Sequence, residues 1–159
     1  MTEVSLSSVF PSLEAKAARL NKVSDDANHA IADIEKRIRE LNLGLEVWHD
    51  KPIEREISEG DFSPHETSSR IARYLGFARI GGECCFAVKA IRYVSGFYEG
   101  DMSAPFENSY ADGAPVPLLK SSRGLRIAAL QAMPTFLQEV NEHVAAAINE
   151  IETTTSKLR

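Results

Sequence analysis

Apolar positions recur from Leu13 to Leu41 at alternating steps of four and three: Leu13, Ala17, Leu20, Ser24, Ala27, Ile31, Ile34, Ile38 and Leu41. This is four heptads with one polar interruption, Ser24, and it predicts a long amphipathic helix over residues 9–43. Ser8 or Ser12 is placed to cap its start, Pro11 suits a first turn, and Gly44 suits a C-terminal stop. About 30 residues at roughly 1.5 Å each make a rod of about 45 Å. Val23 and Ala30 widen the stripe beyond the narrow seam of a two-stranded coiled coil, so more than one neighbour is expected to cover it. Glu35, Lys36, Arg37, Arg39 and Glu40 read as a solvated helix face with i,i+4 pairs.

From Leu43 the period drops to two. Leu43–Trp48 reads as a strand ended by Lys51-Pro52, and Ile53, Arg55 and Ile57 suggest a short edge strand. Residues 58–68 read as a loop. The clearest signal is Arg70–Val94, where Gly81-Gly82 sits between β-rich runs as a two-residue hairpin turn. That turn places Ile80 opposite Glu83, Phe77 opposite Phe86 and Leu75 opposite Val88. Ile71, Leu75, Phe77, Phe86 and Val88 then share a buried face. Tyr74, Ala78, Cys85, Lys89 and Tyr93 share the other, partly wet one.

Gly100, Pro105, Gly113, Pro115 and Pro117 break the pattern, so 99–120 is expected to be an irregular acidic loop, shortened at most by a strand near 116–119. A last helix over 121–155, capped by Ser121 or Ser122, carries the seam Leu130, Met133, Leu137, Val140, Val144, Ala147, Ile151. Pro134 should kink it or split it. Two seams of similar length suggest antiparallel helices closed by the sheet. The expectation is one α+β domain over 1–159 with a meander of three or four antiparallel strands in 44–98.

Composition narrows the role. The chain has 159 residues, 43% hydrophobic and 26% charged, with a net charge of −5. That balance disfavours a dedicated binder of nucleic acid or anionic membrane. No apolar run approaches the roughly 20 residues that span a bilayer, and the first residues do not read as a secretory leader. Cys84 and Cys85 are adjacent and suit no disulfide framework, which points to a reducing cytoplasmic setting.

Candidate chemistry is thin. The residues His29, His49, His65 and His143 form no i,i+4 pair, and no Cys-x-x-Cys, His-Glu-x-x-His, Gly-x-Ser-x-Gly or phosphate-loop pattern occurs. His49, Asp50, His65 and Glu66 would have to converge to hold a metal, and they read better as surface residues. No catalytic, cofactor-binding or metal-ligating residue is nominated. Residues 70–98 set Arg70, Arg73, Arg79, Lys89 and Arg92 against Glu83 alone, a balance of +4. A basic sheet with tyrosines is the layout of single-strand binders, but the same cations can pair with carboxylates of 99–112 and of the last helix. The leading expectation is a cytoplasmic non-enzymatic protein acting by protein–protein interaction or self-association. Nucleic-acid binding by the hairpin 70–93 comes second. An enzyme with a pocket between 99–120 and the sheet comes third.

Overall fold

The backbone at Gly81 and Gly82 adopts φ of 59° and 91°, the paired positive values that a tight hairpin turn requires and that a Cβ resists. The computed structural model describes residues 6–57, 66–98 and 101–158. In chain order its elements are α1 (Leu6–Glu40), β1 (Val47–Trp48), β2 (Glu54–Ile57), β3 (Glu66–Ile80), β4 (Glu83–Tyr98), β5 (Asp101–Ala111), β6 (Val116–Pro117), a 3-10 turn at Leu118–Lys120 and α2 (Arg123–Lys157). The class is α+β, as expected. The hairpin β3–β4 keeps the expected register, with Ile80 opposite Glu83, Phe77 opposite Phe86 and Leu75 opposite Val88.

Every pairing in the sheet is antiparallel. β1 and β2 share the outer edge of β3, and β5 and β6 share the outer edge of β4. Ile71, Leu75, Phe77, Phe86 and Val88 are buried. α2 lays Ala129, Met133, Phe136 and Val140 into the core with Leu75, Phe77, Phe86 and Val88, and α1 contributes Ile31 and Ile38. The rings of Phe77, Phe86 and Phe136 meet edge to face, with centroids 5.7 and 6.2 Å apart, the arrangement that aromatic quadrupoles favour.

Several expectations are corrected. The irregular loop expected over 99–120 is largely the strand β5, which pairs with β4 from Ile91–Ala111 to Phe97–Pro105. Pro105 is tolerated because β5 is an edge strand, where a missing N–H breaks no ladder. The strand expected over 43–48 shrinks to Val47–Trp48, since Asn42 and Gly44 take positive φ and Leu43 and Leu45 pack on the core instead. Residues 58–65 of the expected loop lie outside the described residues, and β3 already begins at Glu66. α1 starts at Leu6, so Pro11 falls beyond its first turn. α2 runs through Pro134 without a break, and Ser122 caps it by accepting from the Leu125 N–H.

The helices are also not antiparallel. Arg123, at the start of α2, donates to Asn21 Oδ1 at 3.0 Å. Further on, Leu137 lines one groove with Ile34, Ile38 and Leu41 of α1. Both contacts advance in the same order, so α1 and α2 share direction. β6 carries the chain along the edge of β4 to the flank of α1, and α2 therefore sets out level with Asn21 instead of with the end of α1.

Candidate interaction surface

The heptad seam of α1 divides in two. Ile31 is fully buried and Ile38 is buried, but Leu13 and Leu20 are 55% and 46% exposed. The seam is the same in sequence on both sides of Ser24; what differs is the neighbour. α2 begins level with Asn21, so α1 outruns it. Residues 9–23 are all exposed, Val9, Phe10 and Val23 among them, and Ser24 is the first to be half-buried. α2 overhangs at the opposite end. Val140 is its last buried residue; Val144 and Ala147 beyond it are half-buried, and Ile148 and Ile151 are exposed. Each overhang is a helical segment with large apolar side chains in water, the condition that normally marks a contact surface.

The polar clusters closer to the core are structural. Glu35, expected on a solvated face, is buried. Its Oε2 accepts from the Phe86 N–H at 2.8 Å, its Oε1 accepts from Arg39 at 2.7 Å, and Arg39 Nε donates to the Cys84 carbonyl at 3.0 Å. Beyond the reach of β6, the edge of β4 would leave these backbone groups unpaired. One i,i+4 pair of α1 takes the place of a strand there. The open cleft around it, about 440 Å³ and lined by Pro117, Leu119, Lys120, Glu83 and Cys85, is where the expected enzyme pocket would sit. Its Glu35 carboxylate is already committed to Phe86 and Arg39, which suits a clamp better than a proton-transfer group.

His49 is likewise buried. Its Nδ1 lies 2.7 Å from Glu139 Oε2, its ring meets Phe136 at 6.0 Å, and its backbone N–H donates to the Leu75 carbonyl. The pair ties the end of β1 to the middle of α2. His49 thus faces α2 and not a metal cluster; the side chains of His65 and Glu66 lie outside the described ones, and among the described residues no group of three metal-ligating side chains gathers. Cys84 and Cys85 are free thiols, one half-buried and one buried. Burial pushes the Cys85 thiol up from its ordinary value and the nearby Glu35 carboxylate adds to the rise, the opposite of what a reactive cysteine needs.

The basic hairpin is largely neutralised. Arg70 meets Glu107 at 3.3 Å, Arg73 meets Glu54 and Glu56 at 2.8 and 2.9 Å, and Arg92 meets Asp112 at 3.2 Å. The aromatics of the outer face carry cations of their own. Lys89 lies 4.5 Å from the Trp48 ring centroid and Arg70 lies 5.1 Å from that of Tyr93, while the Tyr74 and Tyr93 hydroxyls are 2.9 Å apart. Burial and the Tyr93 hydroxyl raise the Tyr74 pKa. Trp48 lies flat on Gly76, where a Cβ would fall 2.6 Å from the ring carbon Cδ2. Sequence reasoning missed this seat, although a glycine inside a strand was its signal. Rings covered by cations offer little free surface for stacked bases.

Among the described residues no helix is long and apolar enough to cross a membrane. No protein-family model, curated protein or solved structure matches this chain. The arrangement of its own residues therefore carries the functional argument.

Proposed function

We infer that this protein is non-enzymatic and works by protein–protein association through the overhanging halves of its two helices. The observation that carries this reading is the exposed half-seam Leu13–Ala17–Leu20, which continues, without change of period, the stripe that Ile31 and Ile38 bury. A solvated helix of this length gains nothing from a heptad pattern unless something packs on it. The cations of β3 and β4 that pair with Glu54, Glu56, Glu107 and Asp112 weigh against the nucleic-acid reading.

Sedimentation velocity over a wide concentration range tests it. The wild-type chain is expected to associate, and Leu13→Asp with Leu20→Asp is expected to abolish association while leaving the far-ultraviolet spectrum helical. A wild-type chain that stays strictly monomeric at the highest concentration counts against self-association through this seam.

A further inference from the structure

We propose that the occupant of the overhangs is a second copy of this chain, with the free half of α1 from one copy running antiparallel on the free half of α2 from the other. The inference rests on the association reading above and names its partner and pairing.

Three observations point the same way. The first is length. Residues 6–23 and 141–157 would extend about 27 and about 26 Å as helices, so each can cover the other with no stripe left over. The second is direction. α1 and α2 run in the same sense, Asn21 beside Arg123 and Ile38 beside Leu137, so the α1 overhang leaves the body at one end and the α2 overhang at the other. Turning a second copy about a two-fold axis normal to the helices brings its α1 overhang alongside the α2 overhang of the first, and the reciprocal pair forms at the opposite end. Such a contact is isologous and closes on itself.

The third is charge. Residues 6–23 hold Lys16, Arg19 and Lys22 against Glu14, a balance of +2, and residues 141–157 hold Glu142, Glu150 and Glu152 against Lys157, a balance of −2. Pairing α1 with α1, or α2 with α2, brings together segments of like net charge. Pairing α1 with α2 brings together segments of opposite net charge, and this kind of complementarity selects partners. One helix pair of about 17 residues is marginal alone; the two-fold supplies two.

Charge-reversal exchange, read by sedimentation velocity, tests the pairing. The variant Lys16→Glu/Arg19→Glu and the variant Glu142→Lys/Glu150→Lys should each associate about tenfold more weakly or worse, because segments of like net charge then meet at both contacts. An equimolar mixture of the two should recover the dimer as a heterodimer, since each of its contacts again unites opposite charges. All four positions are exposed, and circular dichroism of each variant checks that folding is unchanged. A dimer that survives reversal on α2 alone, or one that survives reversal on α1 alone, overturns this pairing in favour of like on like, since contacts of α1 on α1 or α2 on α2 join segments of like charge before and after a reversal. Both of these outcomes leave association itself standing. A monomeric wild-type chain overturns the pairing and the self-association reading together.

Discussion

Cys84 and Cys85 follow each other on β4, so their side chains leave opposite faces of the sheet. Cys84 packs at the rim of the helix-covered core. Cys85 is buried on the other face, and burial first, then the Glu35 carboxylate, raises its pKa above the ordinary 9.0. Tyr74 is raised above 10.0 by burial and by its hydrogen bond to Tyr93. Both groups are neutral in the native state at neutral pH. Because their folded pKa values exceed the unfolded ones, the unfolded chain gives up its protons first on alkalinisation. The stability they contribute is therefore complete below the ordinary thiol value and is lost as pH rises from there through the folded values. Urea midpoints measured against pH are expected to fall above pH 9. Cys85→Ala should delay the onset toward the tyrosine range. An unchanged onset in that variant would assign the alkaline loss to other groups.

At the scale of elements, one period covers two environments. In dilute solution Ile31→Ala is expected to cost about 2–4 kcal/mol, since Ile31 is fully buried in the core and truncation leaves a cavity. Leu20→Ala, at an equivalent seam position but exposed, should cost less than about 0.5 kcal/mol. Equal losses in urea denaturation would mean that the α1 overhang is covered by its own chain. This contrast also marks what periodicity can tell. It identifies a face that wants cover, and it is silent on which neighbour supplies the cover. The hairpin was legible because Gly81-Gly82 acts locally and carries one register through thirteen pairs, from Ile80–Glu83 to Ser68–Ser95. β5 was not legible, because Pro105 and the acidic residues around it are turn signals until the free edge of β4 is known to be there. The shared direction of the helices was hidden for the same reason, since it follows from the route of residues 101–120 along that edge. Glu35 and Arg39 looked like any solvated i,i+4 pair, and only the unpaired backbone at Cys84 and Phe86 gives them another role.

For the whole molecule, the overhangs set a stability gradient that depends on concentration. In a lone copy the helix of residues 6–23 has little but intrinsic propensity to hold it. That propensity is poor over 7–12, with Ser7, Ser8, Pro11 and Ser12, and good only over Leu13–Leu20. The 141–157 segment is helped by Ala145, Ala146 and Ala147 but weakened by Thr153, Thr154 and Thr155. Short helices without tertiary cover are marginal in water, so both ends should open with small free energies while residues 31–38 and 129–140 open only with the core. Association would couple the ends to the body by mass action. Hydrogen exchange followed by mass spectrometry is therefore expected to give fast exchange at both overhangs in dilute solution and slower exchange at both when the protein is concentrated, with the core segments unchanged. Protection rising together at the two ends is the feature that matters, because in the reciprocal pairing neither end can be covered alone. Protection that rises at one end only would leave the closed two-fold arrangement without support. Fast exchange at both ends at every concentration would mean that the seam stays solvated and that the heptads of Leu13–Leu20 serve no contact between copies.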